Sequence, residues 1–388
     1  MTNNTNKKDL EDFAQLMQDR YDKDAKTQNL LNENRELQAH IHNARLKIQK
    51  QEMDKISRIE NSLASEDLSN RAFDKNKMLK DVEDRKNAVI FLTPKISEHF
   101  VAAPGSLIVI PSMTNNGKST LTAHLAEAIL SKGKKVLILS NEEKEEDVRA
   151  RISCIRKRIS FGDYKTGKCS VEEVQAILDD AEYLSQDAKL VVISPKNDLD
   201  AYKVTTVKGV MTTLEKAKDK FDTVLLDYYT NVNMSEMGVK DPWHVNNELA
   251  TELNIFKDTA PFPIIVMAQC EGIRSDKKIE DKGSIDFDSH HPMYRWKGGK
   301  NILTYATDII ELIRDFENSR SYLFAHKVRF GHGDLLRQHV LLFDKKMQRF
   351  TEWTPQLDAQ ITASKAVRQT KEKSKEIGLS DVFDEKDN

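Results

Sequence analysis

The sequence predicts an α/β fold with a mainly parallel, twisted sheet, preceded by an N-terminal helical or coiled-coil arm. Three observations support this prediction. From residue 91 onward, short apolar runs alternate with helix-length segments, as in parallel strands joined by helical crossovers. One apolar run leads directly into a Gly-Lys-Ser sequence that opens a helical pattern. Residues 1–90 contain no glycine or proline, which favours uninterrupted helix.

Composition excludes several classes of protein. With 60 basic and 62 acidic residues, bulk charge gives no support for a nucleic-acid partner, although local basic patches could still provide one. Cys154, Cys169 and Cys270 are far apart, so we expect neither a zinc site nor a disulfide framework. No run approaches 18 apolar residues. We therefore expect a cytoplasmic protein, in a bacterial or phage-infected cell, without membrane association.

The chain divides by pattern into four segments. Residues 1–64 carry apolar residues at alternating three- and four-residue steps, with one skip: Leu30, Leu37, Ile41, Ala44, Ile48, Ile56, Ile59 and Leu63. This pattern fits a coiled coil, a single exposed helix or a small bundle, and we interpret it as an oligomerisation or docking arm. Residues 65–94 are predicted to form a linker helix, residues 95–355 the α/β domain, and residues 356–388 a disordered polar tail.

The α/β domain contains eight predicted strands. They are Leu107–Ile110, Lys135–Leu139, Leu190–Ile193, Thr223–Leu226, Pro263–Ala268, Ile309–Ile313, Tyr322–Val328 and Val340–Phe343. Helical patterns lie near 119–131, 145–160, 171–185, 204–220 and 243–259. The last three strands follow one another through short turns and are predicted to form hairpins.

A phosphate-binding loop follows the first predicted strand. Its candidate nucleotide-binding residues are Ser112, Asn115, Asn116, Gly117, Lys118, Ser119 and Thr120. Lys118 would reach the β- and γ-phosphates of ATP, and the Ser119 hydroxyl would hold Mg²⁺. Ser112 stands where the consensus has glycine, which eases the turn out of the strand.

Polar residues follow three of the predicted strands, where the carboxyl ends of parallel strands border the ligand crevice. Glu142 and Glu143 follow the second strand, where a carboxylate can accept a proton from attacking water or can simply start the next helix. Asp227 ends a Walker B-like run and is a candidate to orient Mg²⁺. Gln269, after the fifth strand, is a candidate sensor of the γ-phosphate.

Two basic segments follow. The long loop 270–300 mixes cations with aromatic side chains, which suits single-stranded nucleic acid, although its acidic residues weaken that interpretation. Further on, Lys327 and Arg329 are two residues apart along a predicted strand and should share one face. Such a pair could complete a phosphate site across a subunit boundary, or could be a solvated edge.

Taken together, these motifs resemble the motor domain of DnaB-type hexameric replicative helicases, within the RecA-like ATPases, over residues 95–353. Ser140-Asn141-Glu142 resembles the family's Ser-Leu-Glu, and Asp227-Tyr228 resembles its Walker B Asp-Tyr. Ala268-Gln269 followed by Arg274 resembles its Ser-Gln-Leu-x-Arg, and Lys327-x-Arg329-x-Gly331 its Lys-x-Arg-x-Gly. Asn141 departs from the family pattern, and the N-terminal region resembles neither the family's helical collar nor a primase.

The resemblance implies a hexameric ring that hydrolyses ATP with Mg²⁺ and moves along single-stranded DNA during DNA replication. It also implies that the chain is of a phage-like type. It implies that Glu142 is the catalytic base and that Lys327 and Arg329 reach the neighbour's nucleotide. Candidate DNA contacts are Arg274, Lys297 and Lys300, although the family's Arg-x-Ser-Gly pattern is not clearly present. A primase, a loader or another replication protein is an expected partner of the arm or the acidic tail.

Two other functions fit the same motifs. One is a RecA-like recombination or repair ATPase that forms filaments. The other is an ATP-binding scaffold that recruits replication partners through its helical arm.

Overall fold

The computed structural model describes residues 74–86, 88–89, 91–227, 229–233, 241–270, 300–315, 320–329, 331, 339–344 and 347–357, and the positions 15, 50, 53, 54, 57, 58 and 359. The chain divides into two units, residues 1–75 and residues 76–388. The described positions of the predicted arm are helical. The rest of the arm, most of the loop 270–300 and most of the tail lie outside the described residues.

Nine strands of the described residues form one sheet, in the order β3-β2-β4-β5-β1-β6-β7-β8-β9. The strands are β1 (Leu107–Ser112), β2 (Val136–Ser140), β3 (Leu190–Ile193), β4 (Thr223–Asp227), β5 (Ile264–Gln269), β6 (Asp308–Asp315), β7 (Arg320–Lys327), β8 (His339–Asp344) and β9 (Arg349–Glu352). From β3 to β6 neighbouring strands are parallel, and from β6 to β9 they are antiparallel. The expected mainly parallel sheet with closing hairpin strands is confirmed.

Two of the described helices precede β1, and the others lie in the connections between the parallel strands. The helices are α1 (Lys75–Lys86), α2 (Pro94–Ser97), α3 (Lys118–Leu130), α4 (Glu145–Lys157), α5 (Phe161–Lys165), α6 (Val171–Ser185), α7 (Asp198–Thr205), α8 (Val207–Ala217), α9 (Pro242–Lys257) and α10 (Asn301–Tyr305). Short 3₁₀ turns lie at Gln186–Ala188 and Tyr229–Asn231. In the part of the chain that the structure describes, no helix is long and apolar enough to span a membrane.

Two apolar cores cover the two faces of the sheet. One contains Ile108 and Ile110 with the inner faces of α3 and α4, and the other contains Leu107 and Val109 with α8 and α9. Because both faces are covered, β1, β2 and β4 are buried along their whole length. This explains why they read as continuous apolar runs rather than as alternating ones.

The fold departs from the sequence prediction in two places. The predicted helix 204–220 is divided at Thr206, whose Oγ1 accepts a 2.9 Å hydrogen bond from the Gly209 N–H and so starts α8. A Cβ on Gly209 would lie 1.9 Å from the Tyr202 carbonyl oxygen, so only glycine allows the close turn between α7 and α8. β9 was not predicted, because Phe350 is its single strongly apolar residue.

Candidate nucleotide-binding site

The loop between β1 and α3 presents uncapped backbone N–H groups. Asn115 and Gly117 have left-handed backbone conformations, with φ of 67° and 91°. Gly117 is the N-cap of α3, and no side chain caps this helix. The first N–H groups of α3, with the positive end of the helix dipole, therefore remain available for an anion.

Ser112 and Asn116 build the loop from behind. Ser112 is buried in β1, pairs with Gln269 of β5, and is not among the residues with positive φ. Serine in place of the consensus glycine therefore costs no backbone strain here. The Asn116 amide is also buried and donates to the Leu312 carbonyl oxygen at 3.3 Å. Neither residue lines the cleft.

A cleft of about 450 Å³ lies in front of the loop. The loop contributes Met113, Thr114, Asn115, Gly117, Lys118, Ser119 and Thr120 to its walls, and other elements contribute Glu142, Glu143, Arg151, Gln269, Arg314, Phe343 and Gln348. Most of the predicted nucleotide residues thus surround one space with Glu142 and Gln269.

The two carboxylates after β2 have different environments. Glu142 has an exposed side chain, and its Oε2 lies 3.8 Å from the Lys118 ammonium. Glu143 instead accepts a 2.6 Å hydrogen bond from the Arg151 guanidinium, and its carbonyl oxygen accepts one from the Ser140 hydroxyl. Of the two, Glu142 is the carboxylate that is free to turn toward a water in the cleft.

Asp227 lies at the end of β4, beside Ser140 of β2. It is buried, and its Oδ2 accepts a 3.1 Å hydrogen bond from the Thr122 hydroxyl. Its Oδ1 is buried without a hydrogen-bond partner. Burial raises the pKa of Asp227 to about 6, an effect that the nearby Lys118 opposes. A buried carboxylate oxygen without a donor suits Mg²⁺ or a water bound to it, so Asp227 and Ser119 fit a magnesium site.

Gln269 connects β5 to the loop. Its Nε2 donates to the Thr114 hydroxyl at 2.7 Å, and it stands opposite Ser112 in the sheet. The chain continues from Gln269 into the 270–300 loop. Among the predicted DNA contacts, Arg274 and Lys297 lie outside the described residues, and Lys300 is exposed at the N-cap of α10.

Four residues that line the cleft from outside the phosphate loop were not predicted: Arg151, Arg314, Phe343 and Gln348. The Arg314 guanidinium lies 3.9 Å from the centre of the Phe343 ring, and Gln348 accepts a 2.7 Å hydrogen bond from Arg151. One sequence signal could have identified Arg314, because it is a cation directly after the predicted strand Ile309–Ile313. Nothing local indicated Phe343 or Gln348, because the β8–β9 pairing brings them to the cleft.

Lys327 and Arg329 lie beside the amino ends of the parallel strands, whereas the cleft lies at their carboxyl ends. β7 runs antiparallel to β6, so Lys327 pairs with Ile309 near the start of β6. The Lys327 ammonium donates to the carbonyl oxygens of Thr304 and Ala306 at 3.1 and 2.5 Å. The strand ends at Lys327, so strand alternation does not place Arg329, whose N–H donates to the Asp308 carboxylate at 2.9 Å. Neither cation lines this chain's own nucleotide cleft.

Comparison with known proteins shows what the chain is similar to. Residues 101–286 match the family model of the DnaB-like helicase C terminal domain. A solved DnaB-like replicative helicase, described together with its interactions with primase, resembles the fold with a TM-score of 0.56 at 12% identity, over 78% of this chain and 72% of that one. A second solved structure, an isolated ATPase domain, also has a TM-score of 0.56 at 12% identity, over 72% of this chain and 96% of that one.

No curated protein sequence matches the chain. At 12% identity the solved structures support the fold, and the family match carries the assignment. The family match and the solved structures together support a DnaB-type helicase motor domain, with a RecA-like fold, in the part of the chain that they match.

Proposed function

We propose that the chain is an ATP-hydrolysing translocase that assembles into a hexameric ring and moves along single-stranded DNA during replication. One observation carries the proposal: the uncapped start of α3 faces a cleft that also contains Lys118, Ser119 and Glu142. A triphosphate is the ligand that this combination of backbone donors, cation and carboxylate recognises best.

In the proposed reaction, Lys118 and the loop N–H groups bind the β- and γ-phosphates. Mg²⁺, when bound by Ser119 and Asp227, neutralises phosphate charge. Glu142 orients the attacking water and accepts its proton. Arg151 holds Glu143 aside, so that one carboxylate serves this role.

Gln269 is proposed to pass the state of the nucleotide to the DNA loop. Its hydrogen bond to Thr114 links the phosphate loop to the end of β5. Loss of the γ-phosphate would move Thr114 relative to Gln269, and the chain that follows Gln269 leads into the proposed DNA contacts Arg274, Lys297 and Lys300.

The ring is proposed because the two parts of the proposed site, the cleft and the cation pair, lie at opposite ends of the strands of one sheet. Lys327 and Arg329 lie where β6 begins, whereas the cleft lies where β1 ends. The cation pair of one subunit can then act on the triphosphate of the next, as an arginine finger does. A primase, a loader or another replication protein is the proposed partner of the N-terminal arm or the acidic tail, in the cytoplasm of a bacterial or phage-infected cell.

The test is steady-state ATP hydrolysis with and without single-stranded DNA, with light scattering in the same buffer. We expect a hexamer whose rate rises with DNA. Glu142→Gln should lower kcat by roughly 10²- to 10⁴-fold while ATP still binds. Glu143→Gln is the matched control and should retain most of the activity.

Unchanged hydrolysis in Glu142→Gln would refute the assignment of the base. Filaments instead of rings would favour the recombination ATPase. Binding of ATP without turnover in the wild-type protein would favour the scaffold.

A further inference from the structure

A second cleft, of about 720 Å³, lies at the amino ends of the parallel strands, whereas the nucleotide cleft lies at their carboxyl ends. Among the described residues, α1 contributes Lys80, Asp84 and Arg85, the turn before β1 contributes Ala103–Gly105, the α9–β5 connection contributes Lys257–Pro261, and Thr307 and Arg329 complete the walls. The cleft thus lies where β1, β5 and β6 begin, on the side that carries Lys327 and Arg329.

The walls of this cleft carry more positive than negative charge. The described residues that line it include four cations, Lys80, Arg85, Lys257 and Arg329, against two carboxylates, Asp84 and Asp258. The cations come from three separate segments of the chain. An excess of converging cations in a concave surface favours an anionic ligand.

Lys257 is the most deeply placed of these cations. It is the last residue of α9 and is 6% exposed. Its ammonium lies 2.7 Å from the Asp258 carboxylate, whose side chain is 71% exposed. The carboxylate therefore faces solvent while the ammonium stays inside, so that the pair compensates the buried charge only in part.

Lys257 also acts electrostatically on Lys327. Burial lowers the pKa of Lys327, the charges of Arg329 and Lys257 lower it further, and Asp308 opposes them. Repulsion from two neighbouring cations therefore disfavours the charged form of Lys327 in the isolated chain. A phosphate group would relieve that repulsion, because each ammonium or guanidinium could donate to it.

We propose that Lys257 is a third cation of the site that Lys327 and Arg329 present to a neighbouring copy of this chain, and that this site binds the triphosphate of a nucleotide held by that copy. The inference rests on the proposed ring function and extends it to a residue on α9, outside the Lys-x-Arg motif. Asp258 limits the positive potential of the site by holding the Lys257 ammonium.

The experiment measures calorimetric binding of inorganic tripolyphosphate to the full-length Lys118→Ala protein, which lacks the lysine of the phosphate loop. Adding Lys257→Met should weaken binding about tenfold, the loss of one charge-assisted hydrogen bond. Adding Asp258→Asn should tighten binding about threefold, because the exposed partner of Lys257 is removed. Lys208→Met, an exposed lysine of α8, is the matched control and should leave binding unchanged.

Two results would overturn the inference: no tripolyphosphate binding by Lys118→Ala, or equal affinity with and without Lys257→Met. Asp258→Asn changes an exposed side chain and keeps the test decisive if Lys257→Met folds poorly. Tripolyphosphate binding needs no hydrolysis. A wild-type protein without ATPase activity but with Lys257-dependent binding would therefore refute the proposed function alone, whereas an active ATPase with Lys257-independent binding would refute this inference alone.

Discussion

Replacing Asp227 by asparagine should stabilise the nucleotide-free protein and abolish its activity. Burial raises the pKa of this carboxyl from 3.8 to about 6, and its Oδ1 has no hydrogen-bond partner. In the unfolded chain the carboxyl ionises near its ordinary value. Between these two pKa values the folded state binds more protons than the unfolded state, so stability falls as pH rises.

The magnitude follows from the size of the pKa difference. Each pH unit between the two pKa values lowers the free energy of unfolding by about 1.4 kcal/mol. Ionised Asp227 therefore destabilises the fold by about 3 kcal/mol above pH 6. Asparagine removes the charge but leaves one amide atom without a partner, which reduces the expected gain to about 2 kcal/mol. At pH 7.5 this corresponds to a rise in melting temperature of about 3 °C for a chain of this length.

The assay is thermal unfolding of the wild-type and Asp227→Asn proteins at pH 4 and pH 7.5 in EDTA, beside ATP hydrolysis with Mg²⁺. The gain in stability should be present at pH 7.5 and absent at pH 4, where the wild-type carboxyl is protonated in the folded state. Asp219→Asn, at an exposed position of the α8–β4 connection, should show no such pH-dependent gain. A gain of equal size at both pH values, or no gain at pH 7.5, would refute the assignment of Asp227 as a buried charge that awaits a cation.

Three further predictions test the fold around the site. Gly209→Ala should destabilise the protein by at least about 3 kcal/mol in denaturant unfolding, because its Cβ would lie 1.9 Å from the Tyr202 carbonyl oxygen; a loss below about 1 kcal/mol, on the order of a surface change, would contradict that packing. His124→Leu should lower the free energy of unfolding by about 1–3 kcal/mol, since it removes the acceptor of the 3.1 Å hydrogen bond from the Phe350 N–H. His124→Gln should recover part of this loss in the same measurement. Ser112→Gly should leave the Kd for ATP within about twofold, because Ser112 already has an ordinary strand conformation, and a large change in either direction would show that the serine matters to the loop.

Local sequence patterns were sufficient for the central part of the fold. The apolar run before Gly117, and the helical pattern after it, specify strand, loop and helix between Leu107 and Leu130. Asp227 and Gln269 were found because each directly follows a predicted strand of continuous apolar residues, and Glu142 because it lies three residues beyond such a strand. Parallel strands bring such residues to one edge of the sheet whatever the order of the strands.

The remaining site residues depend on pairings between distant segments. Gln348 and Phe343 reach the cleft because β8 and β9 are added antiparallel to the edge of the sheet, and β9 has almost no apolar pattern of its own. Lys257 ends an ordinary amphipathic helix, so its sequence position gives no sign of the second cleft. The division of the predicted 204–220 helix likewise depends on the hydroxyl of Thr206. Its oxygen accepts a hydrogen bond from the Gly209 N–H and so caps a new helix instead of letting the first one continue.

The central claim is that each nucleotide site is completed by the cations of a neighbouring subunit. Mixing two inactive proteins tests it most directly. Lys118→Ala removes the phosphate-loop lysine and keeps the cation pair, whereas Arg329→Ala keeps the loop and removes one cation of the pair. Each protein alone should have almost no DNA-stimulated ATPase activity. After random mixing in equal amounts, an intact loop meets an intact pair at about one interface in four, and we predict recovery to roughly a quarter of the wild-type rate. A mixture that is no more active than its two components would contradict the claim.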